Sequence, residues 1–217
     1  MYLAEAETRI DIRPEGAGRA PLASDRWNDF PHSALSHHGE ACCEIARQWV
    51  SLMDFAQLNG TDPTSGPRWL RAKYKWGPSP WPMHWCEVVK RKTIDCGAHA
   101  ALALEAFRAR GLTAYPAQLV QRYSAEATRQ WSGRWGREDV SCHWLDGDHI
   151  YHEATALLVG GDRVKIWDSS AGSWVGPRQD GGYASLVALR IFAAGHDSVL
   201  RWGERRIEPG TWVQIQA

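Results

Sequence analysis

The sequence predicts an α+β fold in which a central, cysteine-bearing helix packs on an antiparallel β-sheet. Three observations predict it. The segment 96–110 has helical period and almost no polar surface; the chain beyond it breaks into short runs of strand character; and two of those runs are joined by Gly160-Gly161-Asp162, the composition of a hairpin turn. A helix followed by a succession of strands, without regular alternation of the two, is the α+β pattern. At 217 residues the chain is long enough for one domain with a substantial core, so 41–217 is expected to form a single unit.

Residues 1–40 are rich in Gly, Pro, His and Asp without a sustained apolar period, and an irregular arm is expected there. Cys42, Ile45, Ala46, Trp49, Leu52, Met53 and Ala56 then recur at intervals of three and four, which predicts a helix over 42–58 that Gly60 and Pro63 stop. The next thirty residues are punctuated by Pro and Trp and fit neither period; Trp85 to Lys90 suits a short helix or a strand equally. Beyond the helix at 96–110, strands are expected at 114–123, near 139–145, at 149–159 and at 163–168, with an exposed polar stretch through Arg137. Runs at 185–193 and 211–215 add two more candidates.

Bulk properties exclude several classes of partner. Lys+Arg and Asp+Glu balance at 25 each, so the basic footprint that a phosphate backbone demands is missing and nucleic acid is not expected. No run of about 18 apolar residues is present to span a bilayer, and the opening MYLAEAETRIDIRPEGAG lacks the basic start and apolar run of a signal peptide. A cytoplasmic protein with no membrane partner is expected. Cys42, Cys43, Cys86, Cys96 and Cys142 form no framework spacing, and an odd count leaves one thiol unpaired, which agrees with a reducing compartment. Of the 13 tryptophans four, Trp69, Trp76, Trp81 and Trp85, crowd into one Pro-rich stretch, where packed core is the commoner fate and the lining of a cleft the rarer one.

Cys96 has the setting of a nucleophile. Asp95 is a natural N-cap, which places Cys96 in the first helical turn, while Arg108, Arg110 and Gly111 suit the far end. Six alanines between 98 and 109, with Leu102, Leu104 and Phe107, make the helix central and its first residue fixed in space. The thiolate is the attacking species, and a free thiol titrates near about 8.5, so it needs help at neutral pH. A helix N-terminus and a neighbouring imidazolium both supply that help. Cys42, Cys43, Cys86 and Cys142 lack such a setting and read as inert.

The base and its orienting group come from the hairpin. Alternation puts His152, Ala154, Ala156 and Leu158 on one face of the first strand and Val164, Ile166 and Asp168 on one face of the second. A two-residue Gly160-Gly161 loop would set Asp168 opposite Glu153, away from the imidazole. A three-residue loop, Gly160-Gly161-Asp162, sets Val159 opposite Arg163 and Asp168 opposite Ala154, with His152 its diagonal neighbour on the same face. The longer loop also exposes Arg163 and Lys165 and buries an apolar face, so it is the register expected. His143 and His149 are rival bases, His143 without an obvious carboxylate on its face and His149 just after the turn Asp146-Gly147-Asp148.

Asp95-Cys96-Gly97, the helix end and strand start Arg108 to Ala114, His152, and Ile166-Trp167-Asp168 together resemble the transglutaminase-like branch of the papain-type cysteine enzymes, over about residues 93–170. The resemblance implies a papain-like core, a catalytic triad of Cys96, His152 and Asp168, and acyl transfer through a thioester intermediate. The outcome would be amide hydrolysis, transamidation or amide formation on a peptide or small-molecule acyl donor, free or held on a carrier, with no metal and no cofactor. An oxyanion donor is implied among Trp69, Trp76, Trp81 and Trp85. The His-Ala-Trp or His-Val-Trp often found at the base is absent, since Glu153 and Ala154 follow His152. Arylamine acetyltransferases are similar as well, but their Arg-Gly-Gly-x-Cys lead-in is missing. Cell-wall peptidases share the Asp-Cys opening, but usually carry Ser where Gly97 or Ala98 stands and are exported.

Two other classes compete. A metal-binding protein would draw on His32, His37-His38 and Cys42-Cys43, although adjacent pairs on one short segment match no closed tetrahedral spacing. A non-catalytic module would use the Trp-rich region to grip peptide or sugar.

Overall fold

In this computed structural model the described residues are 34–35, 39–57, 64–77, 79, 83–135, 144–146, 149–176, 184–196 and 198–215. The arm expected over 1–40 lies almost wholly outside them. Among the described residues five helices and eleven strands are ordered as α1 (Gly39–Gln57), α2 (Ser65–Lys73), β1 (Lys75–Trp76), α3 (Trp85–Val88), β2 (Thr93–Ile94), α4 (Cys96–Ala109), β3 (Ala114–Tyr123), α5 (Ala125–Trp135), β4 (Trp144–Asp146), β5 (His149–Gly160), β6 (Arg163–Asp168), β7 (Ser173–Val175), β8 (Ala184–Ile191), β9 (Leu200–Trp202), β10 (Arg205–Ile207) and β11 (Val213–Gln214).

The architecture is mixed α/β around a nine-stranded sheet in the order β10-β9-β6-β5-β3-β8-β11, with β4 added to β5 and β7 to β6. Its pairings are antiparallel except that of β6 with β9, which is parallel. The sheet separates two apolar clusters, as alternation along β5 requires. Leu157 points to the helical side, where it joins Trp49 of α1, Leu70 of α2, Trp85 of α3, and Leu102 and Phe107 of α4. Ala154 and Ala156 point to the other side and join Leu119, Ile166, Leu189 and Ile191. Leu102 and Phe107 are fully buried, and each stabilises the fold by about 1.5–3 kcal/mol on transfer from water.

The hairpin register corrects the expected loop while keeping the expected pairing. Thr155↔Trp167, Ala156↔Ile166 and Leu158↔Val164 form the body of the ladder, which is the alignment that sets Asp168 level with Ala154. Gly160, however, pairs with Arg163, so the turn itself has two residues, Gly161 and Asp162, and Val159 is the extra residue of a bulge. Gly160 (φ 148°) and Gly161 (φ 56°) take up positive backbone angles that a side chain would resist. The bulge turns Val159 out to solvent, 48% exposed.

Residues 125–135 add an element that the sequence reading did not assign. The stretch expected to be exposed and polar, to which no element was assigned, begins as a helix, α5, because Ser124 caps it: its Oγ accepts from the Ala127 N–H at 3.2 Å and its carbonyl from the Thr128 N–H at 2.9 Å. Ala125, Glu126, Arg129 and Gln130 are exposed and only Ala127 is buried in the first turns, so the apolar period that marks a helix is nearly absent. Residues 139–143 of the strand expected near 139–145 lie outside the described residues, and 144–146 form β4. In the Pro- and Trp-rich segment α2 forms, and Trp85 opens the short helix α3.

Candidate active site

The nucleophile candidate is held from three directions. Upstream, β1 and β2 pair in parallel, with Trp76 beside Ile94, and the Gly77 N–H donates to the Ile94 carbonyl at 3.0 Å. Asp95 then caps α4: its Oδ1 accepts from the Ala98 N–H at 2.9 Å, while its own N–H donates to Ser79 Oγ at 3.0 Å. Downstream, Thr155 Oγ1 donates to the Ala100 carbonyl at 3.1 Å and bolts α4 to β5. Cys96 is 3% exposed at the first position of this helix, where the backbone N–H groups present their positive end.

Helix α4 runs alongside β5 in the same direction. Its C-terminus turns within a few residues into β3, the antiparallel neighbour of β5, and the Leu158 N–H donates to the Thr113 carbonyl at 2.9 Å at that end. With Ala100 over Thr155, Cys96 lies about 6 Å back along the helix, a distance matched by about two strand residues, toward Glu153 and Tyr151.

His152 and Asp168 meet where β6 leaves β5. The ladder of β5 with β6 ends at Thr155↔Trp167, and β4 takes up pairing at Ile150; among the described residues His152 therefore stands at a notch in that edge of β5. His152 Nε2 and Asp168 Oδ2 are 2.9 Å apart, both side chains buried. The other carboxylate oxygen, Oδ1, accepts from Ser170 Oγ at 2.8 Å and from the Ser170 and Ala171 N–H groups at 3.0 Å each. Burial alone would raise the Asp168 pKa; the His152 charge and hydrogen bond, with the Ala171 and Ser170 donors, outweigh it and hold it at about 2. Burial would likewise lower His152, yet the charges of Asp168 and Cys96 and a hydrogen bond to each raise it well above the ordinary imidazole value. Asp168 and Cys96 both act on the His152 ring, so the three expected residues lie near one another.

Two features escaped the sequence. His99, one turn beyond Cys96, is fully buried, and neither ring nitrogen has a hydrogen-bond partner among the described residues. Burial above all lowers its pKa to about 4, opposed by Asp168 and reinforced by Arg71 and His152. The second is a polar row across three strands, Glu153↔Gln118↔Arg190, on the same strand faces as Thr155. The Tyr151 hydroxyl donates to Glu153 Oε1 at 2.7 Å, and Arg190 donates from Nε to Gln118 Oε1 at 2.8 Å and again from its terminal nitrogen. All four side chains are buried, and the Arg190 guanidinium stacks over Phe192 and Trp212 at 4.6 and 4.9 Å. A legible signal existed: Glu153, Gln118 and Arg190 are polar or charged residues inside otherwise apolar strand runs.

The tryptophans named as oxyanion candidates occupy different places. Trp85 belongs to the helical-side cluster and Trp69 packs against it, both meeting the Trp49 ring, at 5.3 and 6.2 Å, and Lys73 Nζ lies 4.8 Å over Trp69. Trp76 pairs with the strand leading into Cys96, and Trp81 lies outside the described residues. His149 is buried at the start of β5, paired with Arg122 and Asp146, and His143 lies outside the described residues. So do His32, His37, His38 and Cys142, while no cluster of three or more metal-ligating side chains occurs among the described residues. No described helix is long and apolar enough to cross a membrane. Comparison with models of protein families, with curated proteins and with solved structures gives no match.

Proposed function

We propose that the chain is a cysteine-dependent acyl-transfer enzyme with a papain-like core, of the transglutaminase-like branch, in which Cys96 is the nucleophile, His152 the general acid and base, and Asp168 the group that orients the imidazole. The observation that carries it is the buried 2.9 Å contact of His152 Nε2 with Asp168 Oδ2, set beside the capped first turn of the Cys96 helix. A raised His152 pKa favours an imidazolium facing a thiolate at neutral pH, the charged pair that makes a cysteine reactive.

The Cys96 sulfur attacks the carbonyl carbon of an amide or thioester, and the oxygen takes up negative charge near the N-terminal end of α4, whose backbone N–H groups favour it. His152 gives its proton to the departing amine or thiol, leaving a thioester on Cys96. The neutral imidazole then takes a proton from water or an amine as it attacks, and the thiolate is released. Asp168, saturated by Ser170 and Ala171, keeps its charge and fixes the ring throughout.

The test uses p-nitrophenyl acetate as a generic acyl donor and iodoacetamide as a thiolate probe, each read by intact mass and peptide mapping at pH 7. One acetyl group or one alkyl group on Cys96, absent in Cys96→Ala and strongly slowed in His152→Ala, is the expected outcome. Labelling that bypasses Cys96, or that ignores the loss of His152, refutes the assignment.

A further inference from the structure

Helices α1 and α3 meet through sulfur as well as through the Trp49–Trp85 ring contact. The Cys86 backbone N–H donates to Cys42 Sγ at 3.2 Å, and hydrogen bonding with the neighbouring Cys42 thiol raises the Cys86 pKa. Neither cysteine is in a disulfide. Cys42 is buried at 1% exposure, whereas Cys86 is only half-buried. With Cys42 Sγ 3.2 Å from the Cys86 nitrogen, bond lengths limit the Cα separation to about 7.5 Å, and to less along any bent path, which overlaps the separations that a disulfide spans. Cys43 is about 100° further round α1 and turns away from this contact. Neither thiol has a part in the chemistry proposed above.

We propose that Cys42 and Cys86 form a reversible dithiol–disulfide site that reacts with small disulfides of the glutathione class and staples α1 to α3. The half-buried Cys86 thiolate attacks one sulfur of glutathione disulfide, forming a mixed disulfide and releasing one glutathione thiolate. The buried Cys42 thiolate then attacks the Cys86 sulfur, closing the Cys42–Cys86 bond and releasing the second glutathione. Two protein thiols lose two electrons, the reagent gains them, and the two protons end on the released thiols. Since α3 leads through β2 into Asp95, the staple anchors the segment ahead of the nucleophile, but its formation does not depend on acyl transfer.

The full chain is equilibrated in glutathione redox buffers, quenched with N-ethylmaleimide, and read by intact mass and by mapping of unreduced peptides. The expected result is the loss of two hydrogens, a Cys42–Cys86 peptide that dithiothreitol abolishes, no such peptide in Cys86→Ser, and a higher melting midpoint for the oxidised form. A stable glutathione adduct on Cys86 that never closes, or a link from Cys86 to Cys43 or Cys96, overturns it. Since a substitution at buried Cys42 can fail to fold, phenylarsine oxide provides a second measure on the native chain. One arsenical bridging both thiols in native protein and none in Cys86→Ser is expected, and no bridging in native protein overturns the proposal.

Discussion

His99→Phe isolates the effect of one buried imidazole on acid stability. The ring is fully buried without hydrogen-bond partners among the described residues, stacks edge-on against Tyr74 at 6.3 Å, and titrates at about 4 in the folded chain against 6.5 in the open. Between those values the unfolded chain binds a proton that the folded one refuses, so stability falls as pH drops from 6.5 toward 4. A difference of about 2.5 pKa units at 1.36 kcal/mol each makes that loss about 3 kcal/mol, with a slope of about 1.2 kcal/mol per pH unit around pH 5. Phenylalanine is close in size and carries no proton, so this component vanishes. At pH 7 the variant is at least as stable as the parent, because two buried nitrogens without partners are gone. Urea unfolding of both proteins at half-unit steps from pH 4 to 7 measures the difference, in which the other titrating groups cancel. Parallel stability profiles would refute the reasoning.

Three further outcomes follow from the site and its supports. Asp168→Asn removes the largest influence that raises His152, so the imidazolium is lost at lower pH; iodoacetamide labelling of Cys96 at pH 7 slows by about tenfold or more and moves toward the thiol's own titration, and an unchanged pH profile separates Asp168 from the site. Asp95→Ala removes the acceptor of the Ala98 N–H, lowers unfolding free energy by about 1 kcal/mol and slows Cys96 labelling, measured by urea titration and alkylation kinetics. Gly161→Ala meets no atom within 4 Å, so its cost is that of the backbone angle alone, about 1–2 kcal/mol in chemical denaturation with labelling kinetics unchanged.

The central helix and the strands around it were legible because each is a largely apolar run of characteristic length and composition. The helix expected at 96–110 is α4, and 114–123 is β3 to the residue, since small residues cover a buried helix and a paired strand has little choice of partner. The alignment of Asp168 with Ala154 was readable from patterning, but the bulge at Val159 was not: a bulge and a longer loop give the same alternation downstream. α2 stayed hidden because Arg, Lys and Pro interrupt its nine residues, and β7, β9 and β10 because three residues are too few to show alternation. At the site, residues contributed by recognisable elements could be named. His99 and the Gln118–Arg190 pairing could not, because they depend on which faces meet across elements distant in sequence.

The bond from Thr155 to Ala100 has a consequence for how the protein fails. The helix that carries the thiol and the strand that carries the imidazole are riveted at the middle of the molecule rather than at a loop, so prising them apart means taking out the central strand of the sheet. Small openings at the rim leave the pair aligned. On heating, the reactivity of Cys96 is therefore expected to vanish together with the bulk of the fold and not ahead of it.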